Sequence, residues 1–415
     1  MLKSIFMKIL PVAIVLLAGC VSPAHRDAVS SPVAAVPSGE ELNGDLLYRL
    51  LAGEFAGSRG DMDAAAQFYV EAAGDTSDPR VAARAAHIAI YAEQYDAALD
   101  VIGRWQQLSP AAGEEIARVR VLALLHLGEV DASVQDLLPL LLRDGKMNDS
   151  AISVLSHVLQ KEASPEVALS VLRQLDQLYP QQPRLMLLRA RHEVNASQLD
   201  VAQALVNGVI ALEPETGDAW LVKAQILAAQ QNENEAIEAV SKAVGLRSDD
   251  TQLRLQYARM LVQRTDYAAA WQQFSILHDK LPDHPDVLLS LGLLSIETGR
   301  VDLANGYLQS LIDKGHHSAQ AHYYLGRIQQ AQGRLGVAIA NYERVDQGEY
   351  FLDARIRVAG LLAMTGEVDK AMLQLQGLMQ AGGDNNQDVR LYLAQGEVLR
   401  NAERNQEAMK VYNAA

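Results

Sequence analysis

One residue of this chain sits where covalent chemistry is expected. Cys20 is the single cysteine and closes the run Leu17-Ala18-Gly19-Cys20. A lone thiol excludes an internal disulfide framework and a cysteine-rich zinc site. It can still carry a covalent group, and the small Ala18 and Gly19 let the chain enter a peptidase as an extended strand. Three further groups have suggestive residue types. His316, His317 and His322 are of metal-ligand type, but no carboxylate stands at ligand spacing, and a loop pair plus a helix-surface histidine accounts for them. Gly383-Asp384-Asn385-Asn386-Gln387-Asp388 has the oxygen-rich composition of a calcium loop without the closing bidentate glutamate, so an enlarged loop is the better account. Asn195-Ala196-Ser197 is a glycosylation sequon. There is no Gly-x-Ser-x-Gly elbow, phosphate-binding Gly-Lys-Ser/Thr loop or His-Glu-x-x-His. The residues point to no enzyme, metal, cofactor or small-molecule substrate.

The elements that position Cys20 come before it. Lys3 and Lys8 supply a positive start, and Ile9 to Leu17 an apolar stretch. That stretch falls far below the ~20 residues a helix needs to cross a bilayer, so cleavage is expected rather than retention. Leu17-Ala18-Gly19-Cys20 resembles the lipobox of bacterial lipoproteins. The resemblance implies cleavage before Cys20 and its lipidation, palmitate included, with more than one acyl chain, the condition for stable anchoring. Val21, where aspartate is absent, implies the outer membrane and its periplasmic face. A bacterial setting leaves the sequon idle. Val21 to about Glu41 is rich in Pro, Ser, Ala and Val and shows no helical period. Residues 1–19 therefore read as a signal peptide, 20–42 as lipidated cysteine and flexible tether, and 43–415 as the folded body. A coil of about twenty residues spans roughly 25 Å.

The body must be several domains or a repeat array, because 415 residues exceed the roughly 250–300 at which a single core stops growing. A net charge of −15 argues against nucleic acid and against lying flat on anionic lipid. Alanine recurs in register at Ala65, Ala98, Ala168, Ala202, Ala236, Ala270, Ala304, Ala338, Ala371 and Ala408, with Ser133 in the remaining place. From Ala168 to Ala338 every interval is 34 residues by subtraction. Twelve residues earlier stands another small residue, among them Gly53, Ala86, Ala190, Ala224, Ala258, Gly292, Gly326 and Gly396. Five residues before the alanine comes a turn former at Gly60, Gly128, Gly299, Gly333 and Gly366, and twelve after it proline at Pro110, Pro180, Pro214 and Pro282. Antiparallel helices need small side chains where their axes come closest, glycine ends the first of them and proline stops the second.

These marks resemble the tetratricopeptide repeat. Trp220 takes the leading aromatic place of one unit, and Leu325-Gly326, Gly333, Ala338 and Tyr342 follow the pattern most fully. The units near Ser133 and Ala168 depart from it most. The resemblance implies an all-α, right-handed superhelical solenoid of about eleven hairpins over residues 43–415. Such arrays close on a polar capping helix. None follows Val411 and Tyr412, so either the natural chain continues past Ala415, which is the favoured expectation, or a partner covers these two residues.

In such a solenoid the first helices line a concave groove. Fifteen residues before the alanine stand Leu187, Leu221, Leu255, Leu289 and Tyr323, continued by Ile356 and Leu393; one turn later come Arg191, Gln225, Arg259, Leu293 and Arg327. Two accounts fit this register. The apolar ladder packs against neighbouring helices while the arginines pair with nearby acids, or it receives a partner's apolar side chains while the arginines hold its carboxylates or carbonyls.

The stretch Leu46 to Gly60 and Asp78-Pro79-Arg80-Val81-Ala82, with the lipobox and the array, resemble a proteobacterial group of tetratricopeptide lipoproteins. One member is the adaptor that brings cell-wall hydrolases to a periplasmic carboxyl-terminal processing protease. The resemblance implies a non-catalytic scaffold with protein partners, such a protease and its hydrolases among them. A structural part in a pilus, exopolysaccharide or outer-membrane assembly machine is the second reading. An enzyme with its catalytic domain past Ala415 is the third.

Overall fold

The computed structural model describes residues 44–381 and 389–414. The signal segment, Cys20, the tether and the acidic stretch 383–388 lie outside the described residues. Twenty-two α-helices, paired in order into eleven antiparallel hairpins, make up most of the described residues. The fold is an all-α solenoid. The chain divides between Arg247 and Ser248 into two compact units. The first holds six hairpins: Gly44–Ser58 with Met62–Asp75, Pro79–Tyr91 with Tyr95–Leu108, Gly113–Leu127 with Val130–Leu141, Asp149–Glu162 with Pro165–Leu178, Pro183–Asn195 with Leu199–Leu212, and Gly217–Ala229 with Glu233–Leu246. The second holds five: Thr251–Gln263 with Tyr267–Lys280, Pro285–Glu297 with Val301–Asp313, Ser318–Ala331 with Leu335–Glu343, Phe351–Met364 with Val368–Ala381, and Val389–Asn401 with Asn405–Tyr412. They are numbered 1 to 11 below.

The register alanine is the fourth residue of every second helix, and Ser133 is the fourth of its own. All eleven are buried, none more than 4% exposed. Serine is accommodated because its hydroxyl donates to the Glu129 carbonyl one turn back at 2.7 Å, so no polar atom is stranded. Each predicted proline lies two residues past a helix end, at Leu108, Leu178, Leu212 and Lys280. There it cannot continue the helix.

The turn inside each hairpin has one backbone solution. The five predicted glycines all have positive φ, and the same place is left-handed in Glu93, Ser197, Gln231, Thr265 and Glu403. Ala163 is the exception, with an extended backbone. That turn belongs to hairpin 4; hairpin 3 departs in another way. Pro139 falls inside its second helix, which stops at Leu141 and passes into a two-residue antiparallel ribbon, Leu142–Arg143 with Lys146–Met147. That ribbon takes up the extra chain before hairpin 4 and explains why the repeat pattern blurs there.

Cores run between hairpins within a unit. Hairpins 1 and 2 share an alanine-rich one, with Ala65, Ala86, Ala89 and Ala98 around Tyr69 and Trp105. Hairpins 3 to 5 share one of leucine and valine. No helix among the described residues is long and apolar enough to cross a membrane.

Candidate protein-binding surface

The first helices carry the predicted ladder, and the structure divides it. Leu187, Leu221, Leu289 and Tyr323 are buried, as is Leu293. Leu255 and Ile356 are half-buried, and Leu393 is exposed. Leu187 sits with Val206, Val209 and Ala219, in the core that joins hairpins 5 and 6. Its register points at the neighbouring hairpin, so its apolar surface is spent on stacking. The packing account fits these four side chains, and a partner would meet the polar residues around them.

The arginines form ties between successive hairpins. Arg191 of hairpin 5 stands 3.5 Å from Asp218 of hairpin 6, and Arg259 of hairpin 7 stands 3.6 Å from Asp286 of hairpin 8. Both pairs span 27 residues by subtraction, so one register position holds the next. They remain half-exposed and open to a competing carboxylate. Arg327 lies over the Tyr324 ring, 5.8 Å from its centroid, and Gln225 is half-buried. Asp218 also accepts from Arg247 at 2.7 Å, at the edge of an open pocket of ≈ 390 Å³ that Leu187, Arg184 and Glu213 help to line.

Some groups were not legible from one repeat register. Glu193 is fully buried between hairpins 4 and 5, and accepts from Arg173 at 2.9 and 2.6 Å and from Arg189 at 3.2 Å. Burial alone would raise its carboxyl; the two guanidiniums outweigh that and hold it below the ordinary carboxylate range. In hairpin 9 Tyr323 stacks on Tyr350, with ring centroids 4.6 Å apart, and its hydroxyl donates to Asp353. Burial first, then that carboxylate, raise the Tyr323 hydroxyl. The sequence signal for Glu193 is weak: its partner lies twenty residues back on another hairpin.

The three histidines do not converge. His322 is buried with its Nδ1 3.1 Å from the Asn341 side-chain oxygen, while His317 lies before that helix, 3.6 Å from Asp286. His322 is thus a core residue, not the helix-surface residue expected. No group of three His, Cys, Asp or Glu residues able to hold a metal occurs among the described residues.

The tetratricopeptide repeat family model matches residues 187–251 and 289–350. The chain carries tetratricopeptide repeats there, and these repeats bind proteins. A TPR repeat-containing protein of Pseudomonas aeruginosa is 28% identical over 405 residues, which is 95% of this chain and 67% of the relative's length. Among solved structures, the Naa15/Naa10 complex bound to HypK-THB aligns with a TM-score of 0.52 at 17% identity, over 64% of this chain and 42% of that one. That likeness is one of fold alone. Yeast Tom70 aligns over 89% of this chain and 91% of its own, at 14% identity and a TM-score of 0.33.

Proposed function

We propose that the protein is a non-catalytic adaptor, tethered by a lipidated Cys20 to the periplasmic face of the outer membrane, that binds protein partners through its first-helix faces. One observation carries the protein-binding part: first helices in both units present half-exposed Arg–Asp ties at one register, Arg191–Asp218 and Arg259–Asp286. A partner carboxylate can compete for such an arginine without opening a core. The tether rests on Leu17-Ala18-Gly19-Cys20 and the apolar run before it. A carboxyl-terminal processing protease and the cell-wall hydrolases it degrades are the partners favoured by the likeness of residues 46–60 and 78–82 to that lipoprotein group.

Affinity purification of the chain from its own envelope, followed by mass spectrometry, tests the partners. A protease with its hydrolases supports the adaptor; components of a pilus or outer-membrane assembly machine replace it with a structural role. Radiolabelled palmitate tests the anchor separately. Label that survives Cys20→Ala removes the tether from the proposal.

A further inference from the structure

The first helix of hairpin 4, Asp149–Glu162, is attached differently from its neighbours. It buries three side chains, Ile152, Leu155 and Leu159, where the first helices on either side, Gly113–Leu127 and Pro183–Asn195, bury seven and five. Its outer side is open to solvent, and Val154 there is 63% exposed. The chain reaches this helix through the ribbon of residues 142–147. It leaves through Ala163 and Ser164, both extended, instead of the left-handed turn that closes the other hairpins.

Both ends are latched by ion pairs, and neither latch reaches the helix's own hairpin partner. Asp149 stands 2.8 Å from Arg184 of hairpin 5, with both side chains more than half exposed. Glu162 stands 2.9 Å from Nε2 of His126 in hairpin 3, and 3.3 Å from the adjacent Lys161. Among the described residues no side-chain hydrogen bond or ion pair joins this helix to Pro165–Leu178. That second helix is tied to hairpins 3 and 5 independently: Gln174 donates to Asp131 at 3.0 Å, and Arg173 to Glu193 at 2.9 Å. Exposed ion pairs add little, so one stripe of three side chains holds the helix. Segments with few buried contacts open locally while the rest of a fold stays intact.

Lifting the helix out leaves a slot of defined chemistry. Ile152, Leu155 and Leu159 share a core with Val121 and Leu125 of hairpin 3, Leu172 of hairpin 4, and Leu185 and Leu188 of hairpin 5, which form the apolar floor. A basic group stays at each end. The His126 ring is stacked on Tyr95 of hairpin 2, with centroids 4.3 Å apart, and Arg184 belongs to the first turn of Pro183–Asn195. Neither depends on the departing helix for its place. Such a slot takes an amphipathic helix with apolar residues at i, i+3 and i+7 and a carboxylate three residues beyond each end of that stripe, the spacing of Asp149, Ile152, Leu155, Leu159 and Glu162.

We infer that Asp149–Glu162 is a strap that unlatches as one unit, and that its slot receives a partner helix of this same pattern. The strap is a ligand held in place by its own chain. Joined at both ends, it acts at an effective concentration on the order of millimolar and keeps the slot closed to weaker helices. The inference needs neither the Arg–Asp ties nor the lipid anchor, so it stands apart from the adaptor reading.

The test uses the full chain with Cys20→Ser, and a fluorescent peptide of residues 148–163 as the probe. In hydrogen exchange, Asp149–Glu162 should exchange as one block, about tenfold or more faster than Gly113–Leu127, Pro165–Leu178 and Pro183–Asn195. The peptide should bind the latch variant Asp149→Asn with Glu162→Gln about fivefold to tenfold more tightly than the parent chain. A peptide carrying Ile152→Asp and Leu155→Asp should bind neither. Should the latch variant lose its helicity, exchange in the parent chain and its discrimination between the two peptides decide the matter. Exchange of the strap in step with its neighbours overturns the inference. So does equal affinity of parent and latch variant for the peptide, equal binding of the two peptides, or no binding to either chain at millimolar concentration.

Discussion

Gly326 and Tyr342 occupy one cramped space across hairpin 9: a Cβ on the glycine would stand 2.7 Å from the tyrosine ring. The two are sixteen residues apart by subtraction, and the spacing recurs. Gly53 meets Tyr69 at 2.7 Å and Gly292 meets Leu308 at 3.0 Å; Gly396 is crowded in the same way by Tyr412. Where the earlier residue is alanine, the later one is commonly smaller: Ile102 after Ala86, Val206 after Ala190, Val240 after Ala224, Leu375 after Ala359. Ala258 with Phe274 is the exception. Most hairpins thus divide a limited space between two side chains.

That division predicts coupling. Gly326→Ala gains about 1 kcal/mol in helix propensity but overpacks the ring, and should lower stability by about 1–2 kcal/mol net. Combined with Tyr342→Leu, the same change should cost less than it does alone, with a coupling of about 1 kcal/mol. Urea midpoints of the four species check it; strict additivity would refute the shared-space account.

The left-handed turn residues hold untapped stability. Thr265 is β-branched with φ of 65°, where glycine meets no Cβ penalty. Thr265→Gly should raise the thermal midpoint, with a gain of roughly 1 kcal/mol. Gly366→Thr, at the same place in hairpin 10, should lose a similar amount. Calorimetry of both variants gives opposite signs, or the turn geometry is not what selects glycine.

Acid should act through Glu193. Its folded pKa lies below the unfolded value of about 4.3, so its stabilisation is fully present above that value and is lost as pH falls through the folded pKa. Glu193→Gln should therefore flatten the acid limb of stability against pH below about 5. Glu193→Ala removes this partner from Arg173, which is partly exposed, and leaves Arg189 with Asp176 alone, and should cost about 1–2 kcal/mol at neutral pH. Denaturant melts from pH 7 downward read both.

The groove arginines can be separated from their structural duty. Arg259→Ala with Arg327→Ala should weaken partner capture about tenfold, or about 1.4 kcal/mol, with helicity unchanged. Asp286→Asn breaks the same tie from the other side and should leave capture intact. Equal loss of capture in both variants would mean that Arg259 only links hairpins 7 and 8.

The period, the hairpin number and the helix stops were legible because backbone sterics enforce them. A small residue at the axis crossing, a left-handed turn and a proline past the helix end each have few solutions, so they recur as letters. The fate of the ladder was not legible. Leucine at one register serves equally to stack a neighbour, as Leu187 does, or to meet a partner. Only the position of the next hairpin separates the two. Glu193 escaped for a related reason: its guanidiniums come from two hairpins, and no single period relates them. His322 read as a surface residue because its polarity is answered by Asn341, on the facing helix.

The ties Arg191–Asp218 and Arg259–Asp286 have a mechanical consequence. Each is half in water, so dissolved salt weakens it, while the buried cores beneath are scarcely touched. Ionic strength then sets how freely adjoining hairpins rock without setting whether they remain folded. Resistance to bending would track the surrounding electrolyte, and stretching single molecules at low and high salt would measure that compliance directly.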